Sequence, residues 1–153
     1  MSSRLATIAD IESMHRVRLA VSENRLRDPS RVLPEDYRRM LESDGRGWVY
    51  EVNGDVVGFG VADRVRRNIW ALFVAPGYER RGIGRSLHDT MVEWLFRIAP
   101  DSIWLTTEPG TRAERFYAAA GWRRVQVERN GEVRFELTTV APSNNALERT
   151  RDE

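Results

Sequence analysis

The residues Glu79-Arg80-Arg81-Gly82-Ile83-Gly84 have the types and spacing of an anion-binding loop. An apolar run ends at Val74, Ala75-Pro76-Gly77 turns the chain, and a helical pattern begins near Ile83. Glycines let the backbone turn tightly and bare its N–H groups. The first turn of a helix leaves N–H groups without intrahelical acceptors, and its dipole favours negative charge. Arg80, Arg81 and Arg85 add positive charge beside them. By itself Gly-x-Gly is also an ordinary turn into a helix, and the arginines are also ordinary solvated surface. The loop is not a P-loop, because no Gly-Lys-Ser/Thr follows, and it lacks the third glycine of a dinucleotide fingerprint. A second chemically capable residue is Tyr117, whose phenol is protonated at neutral pH and can donate a proton. It shares a helical face with Ala113, Phe116 and Ala120, so periodicity alone reads it as core.

Elements of two periods must position these residues. Residues 1–6 read as a short strand around Arg4-Leu5-Ala6. Thr7 and Asp10 suggest a helix start with a hydroxyl cap and an acidic first turn. Ile11, Met14, Val17, Leu19 and Val21 then recur near a 3.6 period, so a helix is expected over 8–24. Residues 25–30 interrupt it, and Pro34 opens a second helix over 34–42. The runs 48–52 and 56–61 around Asn53-Gly54 predict a hairpin, and 68–74 predicts a more apolar strand. Ile83, Leu87, Met91, Trp94, Leu95 and Ile98 form the stripe of a long helix that Pro100 closes. A strand over 102–107 puts Ile103 and Leu105 on one face and Trp104 on the other. Thr111 with Glu114 is a capping box for a helix to about 120, and Gly121 fits its C-terminal cap. A last hairpin, 122–128 and 133–140, turns at Asn130-Gly131, and the polar tail after Pro142 reads as frayed. The order β-α-α-β-β-β-α-β-α-β-β describes a mixed α/β domain with too few βαβ units for a doubly wound nucleotide fold.

The length of 153 residues suits one domain, 1–153, with a core over 3–140 and a flexible tail over 141–153. The apolar share of 41%, with 5 Trp, 4 Tyr and 5 Phe, is enough for a core and argues against global disorder. A net charge of +1, from 24 basic and 23 acidic residues, gives little pull toward nucleic acid or anionic membrane. The lack of cysteine excludes disulfides, thiolate catalysis and cysteine zinc sites, and His15 and His88 alone make a poor metal site. No run approaches a signal peptide or a membrane span, so a cytoplasmic protein is expected.

Four features, in order, resemble the GCN5-related N-acetyltransferase (GNAT) superfamily over roughly residues 3–140. Leu72-Phe73-Val74-Ala75-Pro76 resembles the family's central strand and its exit. Glu79-Arg80-Arg81-Gly82-Ile83-Gly84 resembles its pyrophosphate loop, with Leu87 on the helix that follows. Ala113-Glu114-Arg115-Phe116-Tyr117-Ala118-Ala119-Ala120-Gly121-Trp122 resembles its second signature, and a terminal strand pair closes the sheet. The resemblance implies an α/β acyl-CoA N-acyltransferase fold, a central, mixed, mostly antiparallel twisted sheet flanked by helices. It implies acetyl-CoA as cosubstrate, no metal, and a cleft where the central strand and the strand after the long helix splay apart. Backbone groups of Phe73 and Val74 would pair with the pantetheine arm. N–H groups of Arg80, Arg81, Gly82, Ile83, Gly84 and Arg85 would hold the pyrophosphate, and Tyr117 takes the position of the usual general acid. Two residues depart from the pattern. Glu79 stands where the family commonly has Gln or Arg, and Gly110 where it often has Asn, with Thr107 or Thr111 as substitutes.

Direct acyl transfer to an amine needs a polarised thioester carbonyl, a neutral amine and a protonated leaving thiolate. A backbone N–H near Val74 would serve the first need and Tyr117 the third. Candidate bases are Glu108, Asp63 and Glu23, each of which also reads as a solvated surface acid, and bulk water suffices for many amines. His15 could line the substrate end, while His88 reads as packing or surface. Arg16, Arg18, Arg25, Arg27 and Arg31 read as a solvated face, or as attracting an acidic acceptor or the 3′-phosphate of CoA. The expected partner is a small-molecule or peptide amine, with no nucleic acid and no membrane, and a homodimer is common in the family. In this fold the acceptor end is built largely from the first two helices and the loops near the last hairpin, where the chain carries no motif. Two other classes stay open: a non-catalytic CoA-binding or protein-interaction module on the same fold, motivated by Glu79 and Gly110, and a nucleic-acid binder using the arginine-rich first third.

Overall fold

A turn at Asn53-Gly54, with φ of 53° and 84°, joins β2 (Gly45–Val52) to β3 (Asp55–Asp63). Two successive positive φ angles match the twist of the flanking strands, which is why the expected hairpin forms around this pair. The computed structural model describes residues 2–21 and 32–139, and the chain divides into two units, Met1–Leu95 and Phe96–Glu153. The elements follow the expected order.

In the first unit β1 (Ser2–Leu5) pairs with β2, β2 with β3, and β3 with β4 (Asn68–Val74), all antiparallel. A 3-10 turn, Ile8–Asp10, leads into α1 (Ile11–Ala20). The Asp10 carboxylate, rather than the Thr7 hydroxyl, caps this start: it accepts the Thr7 N–H at 2.8 Å and pairs with Arg4 Nη1 at 2.9 Å. The helix is shorter than its apolar period suggests. Val21 is already extended (φ −78°, ψ 116°), and Leu19 is 44% exposed instead of joining the stripe. Residues 22–31, with the expected interruption, lie outside the described residues. Pro34 does open α2 (Pro34–Arg39), which loosens into a π-helical turn, Met40–Asp44. Ile11, Met14 and Val17 of α1, with Tyr37 and Met40, form a core with Val49, Phe59, Val61 and Ala71 of the strands.

Helix α3 (Ile83–Ile98) buries Ile83, Leu87, Met91 and Leu95, but Ile98 is 45% exposed. It approaches β3 closely. A Cβ on Gly60 would lie 2.7 Å from Met91 Cε, so a side chain there would have to displace the end of Met91. The β3–β4 register carries one irregularity: Val61 faces Ala71 and Ala62 faces Ile69, leaving Trp70 as the extra residue of a β-bulge.

The second unit holds β5 (Ile103–Thr107), α4 (Arg112–Ala119), β6 (Arg123–Val127) and β7 (Val133–Leu137). β7 pairs antiparallel with both β5 and β6, and buries Val133 and Phe135. Every residue of β6 is exposed, its register shifts between Arg124 and Gln126, and among the described residues it pairs only with β7. The loop between β6 and β7 is longer than a two-residue turn: Glu128 N–H donates to Glu132 O at 2.7 Å and Gly131 N–H to Glu128 O at 2.9 Å. The tail from residue 140 lies outside the described residues.

Candidate functional site

Strand β4 delivers the chain to the predicted anion loop. Phe73 and Val74 sit opposite Phe59 and Gly58 of β3, and Ala75 N–H extends the ladder to Val57 O at 2.7 Å. Beyond it, Arg80 and Gly82 have φ of 64° and 83°. A Cβ on Gly82 would meet nothing within 4 Å, so the backbone angle alone, not crowding, calls for glycine. Ser86 N–H bonds to Gly82 O at 3.0 Å. The N–H groups of Ile83, Gly84 and Arg85, in the turn before it, therefore have no intrahelical acceptor. They lie at the positive end of a helix of 16 residues.

The charged residues of the loop separate by role. Arg80 and Arg81 are exposed, with the Arg81 guanidinium 4.9 Å from the centre of the Tyr78 ring. Arg85 instead turns along the helix, its Nε donating to Asp89 Oδ1 at 3.0 Å. Glu79, the residue out of pattern, has a local use: its Oε1 accepts the Gly77 N–H at 2.9 Å and braces the turn that precedes the loop. Backbone donors, positive φ angles and two exposed guanidiniums together fit a diphosphate.

On the α1–α2 side of β4 lies a cluster of which the sequence singled out only His15 and Arg18. The Trp70 bulge puts two rings, Trp70 and Phe73, beneath Arg18, whose Cζ is 5.5 Å and 4.8 Å from their centres. Tyr37, 1% exposed, meets Trp70 edge-on at 5.4 Å, and its hydroxyl lies 2.9 Å from His15 Nδ1. Burial lowers the His15 pKa, and the Arg18 charge lowers it further, so the imidazole is neutral at neutral pH. Burial raises the Tyr37 pKa while Arg18 pulls it back. His15 also lines a groove of about 410 Å³ with Ile8, Ile11, Glu12, Pro34 and Tyr37. Arg16 is exposed, as a solvated face implies, but Arg18 is not part of that face. The legible signal was the pair His15 and Arg18, one turn apart and interleaved with the buried Ile11, Met14 and Val17. Arg25, Arg27 and Arg31 lie outside the described residues.

Tyr117, in the second unit, is 6% exposed. Burial raises its pKa far above that of a free phenol, which keeps the hydroxyl protonated. A Schellman motif fixes its place: Trp122 N–H donates to Tyr117 O at 3.0 Å and Gly121 N–H to Ala118 O at 3.2 Å, with Gly121 at φ 98°. The motif's hydrophobic contact is the Trp122 ring, 5.6 Å from the Tyr117 ring. At the other end of α4, Thr111 Oγ1 accepts the Glu114 N–H at 3.2 Å and donates to Glu108 O at 2.8 Å. Glu114 Oε1 takes the Gly110 N–H, one residue before its expected partner. The Thr111 hydroxyl is thus committed to the cap.

The remaining candidates sort as follows. Asp63 is fully buried rather than solvated, its Oδ1 accepting the Val65 and Arg66 N–H groups at 2.9 Å each, so it closes the β3–β4 turn. Glu108 is half-buried, and Glu23 lies outside the described residues. His88 is packing, 3% exposed, with its pKa lowered by burial. Among the described residues no group of three His, Asp or Glu could hold a metal, and no helix is long and apolar enough to cross a membrane.

The acetyltransferase (GNAT) family model matches residues 11–122. The fold is similar to that of a GNAT-family acetyltransferase from Staphylococcus aureus Mu50, with a TM-score of 0.77 and 18% identity, covering 90% of this chain and 98% of that one. It is similar to the ribosomal-protein-S18-alanine N-acetyltransferase of Escherichia coli, with a TM-score of 0.72 and 15% identity over 90% and 92% of the two chains. It is also similar to the PaiA N-acetyltransferase of Thermoplasma acidophilum, solved with coenzyme A, with a TM-score of 0.72 and 14% identity over 90% and 99%. These likenesses establish the expected acyl-CoA N-acyltransferase fold. Comparison with curated protein sequences returns no match.

Proposed function

The chain belongs to the acetyltransferase (GNAT) family, and from that premise we propose that it moves the acetyl group of acetyl-CoA to a primary amine. Acetyl-CoA supplies the activated acetyl thioester. The observation that carries the reading is the start of α3, where Gly82 at φ 83° opens a helical turn whose first N–H groups have no intrahelical acceptor. The N–H groups of Arg80 to Arg85 hold the diphosphate, with Arg80 and Arg81 adding charge. Phe73 and Val74 present backbone groups to the pantetheine arm, and a backbone N–H near Val74 polarises the carbonyl. Tyr117 Oη holds the proton that the leaving sulfur needs, and its burial supports a donor that never ionises in the working pH range.

No dedicated base is assigned. Asp63 is engaged in its turn, and an amine can lose its proton to water before it attacks. The non-catalytic alternative draws on Glu79 and Gly110. The bond from Gly77 N–H to Glu79 gives that acid a structural reason to be there, which removes one of its two supports. The test is isothermal titration with acetyl-CoA, followed by a thiol-release assay across a panel of primary amines. Saturable binding and amine-dependent thiol release are expected. The lack of binding at millimolar acetyl-CoA would sink the cofactor roles and the transferase reading together.

A further inference from the structure

Arg18 is a cation with an unmet bond. Its Nη1 is out of contact with solvent and has no hydrogen-bond partner among the described residues. Among the described residues no carboxylate pairs with it, and its neighbours are the Trp70 and Phe73 rings, the neutral His15 and the Tyr37 hydroxyl, which accepts one of its N–H groups but leaves Nη1 unmet. Aromatic faces attract a guanidinium but accept none of its in-plane N–H bonds. A desolvated donor on a charged group is costly to leave unmade. Either the position is a defect, or something else supplies the acceptor.

Resting on the transferase reading above, we propose that Arg18 binds a carboxylate carried by the amine substrate, so that the acceptor is an amino-acid-like amine rather than a simple amine or a polyamine. Three features lead there. The first is position: Arg18 lies over the ring of Phe73, in the strand assigned to the pantetheine arm. The second is the chemistry of that arm and the thioester, which carry no charge, so an anion meeting Arg18 comes from the other substrate. The third is stoichiometry: one guanidinium beside a neutral imidazole and two rings matches a singly charged, planar carboxylate, which a guanidinium fork takes in two parallel bonds. Lysine at this position would supply charge without the fork.

The experiment compares matched acceptors: free α-amino acids against their primary amides, in thiol release with acetyl-CoA. A second arm needs no turnover. It titrates the protein–CoA complex with N-acetyl amino acids and with their amides, and titrates each variant with acetyl-CoA. For the wild type, acids are expected to exceed amides by about ten- to a hundredfold in kcat/KM or in affinity, the worth of hydrogen bonds to a charged group. Arg18→Gln should erase that preference, Arg18→Lys should keep part of it, and acetyl-CoA affinity should stay within about twofold. Arg18→Lys retains the charged stem over the rings, so it separates recognition from folding if Arg18→Gln is unstable. Equal use or binding of acids and amides, binding of neither, or an acid preference that survives in Arg18→Gln would overturn the proposal while leaving an acetyl-CoA-binding transferase intact. If the wild type binds no acetyl-CoA, the transferase reading falls first and takes this one with it.

Discussion

Gly82 and Gly121 form a matched pair that separates a cofactor role from a folding role. Their φ angles are 83° and 98°, and a Cβ built on either meets nothing within 4 Å. Alanine at each position therefore carries the same penalty, that of a left-handed angle without a clash. That angle costs an L residue about 1–2 kcal/mol, and the stiffer unfolded chain returns about 0.4–1 kcal/mol, leaving about 1 kcal/mol of lost stability. For a chain of this size the melting temperature should drop by about 2–4 °C in both variants. Their ligand effects should differ. A shift of the Gly82 backbone moves the N–H groups at the head of α3, and one lost bond to a diphosphate oxygen is worth about tenfold in affinity or more. Gly82→Ala should thus bind acetyl-CoA at least about tenfold more weakly, while Gly121→Ala stays within about twofold. Thermal melts and isothermal titration read both quantities on the same samples. Equal acetyl-CoA affinity in the two variants, at equal loss of stability, would show that the loop at Gly82 is only a turn.

Tyr117→Phe should lower kcat by about 10²–10⁴-fold with acetyl-CoA affinity unchanged, as removal of a general acid does; a loss of stability with kcat preserved would instead assign the ring to packing alone. Asp10→Asn, which keeps the shape but weakens the bonds from Arg4 and Thr7 N–H, should destabilise by about 1–3 kcal/mol in urea titrations. The histidines give a pH dependence of known sign. His15 and His88 have folded pKa values below the ordinary 6.5, so the unfolded chain binds their protons first. Their contribution to stability is intact above pH 6.5 and is lost as pH falls from there through the folded values. His88→Gln should flatten the slope of unfolding free energy measured between pH 7.5 and 5, and an unchanged slope would refute this account.

Local chemistry made much of the fold legible. Asn53-Gly54, Pro34, Thr111 and Gly121 act through their own backbone angles and nearest bonds, and each does in the structure what its type demands. Periodicity carried the core as far as burial is local, through Ile11, Met14 and Val17 and through Ile83, Leu87, Met91 and Leu95. It failed at the helix ends. Leu19 and Ile98 keep the period but face solvent, because a repeat along the chain does not say where the neighbouring surface stops. The phosphate loop was legible because backbone N–H groups and glycines form it. Arg18 was not. Its environment depends on the Trp70 bulge, which turns one extra ring of β4 toward α1, and a one-residue register shift leaves no mark in composition. Asp63 shows the same limit: a buried turn acceptor and a solvated acid are one letter in the sequence.

β6 carries a different consequence. Its five residues are all exposed and one of its edges has no described partner, the situation in which a strand invites another chain to add to the sheet. Three features oppose that. Arg123 and Arg124 place cations on the strand, and the shift between Arg124 and Gln126 breaks the even spacing a docking strand would need. Arg124 is also drawn to Glu114 at 3.1 Å, which ties the charge to α4. Val125 and Val127 alone would make the segment sticky, at 38% and 58% exposed. The arginines of this strand thus guard the colloidal behaviour of the protein, independently of anything the enzyme binds.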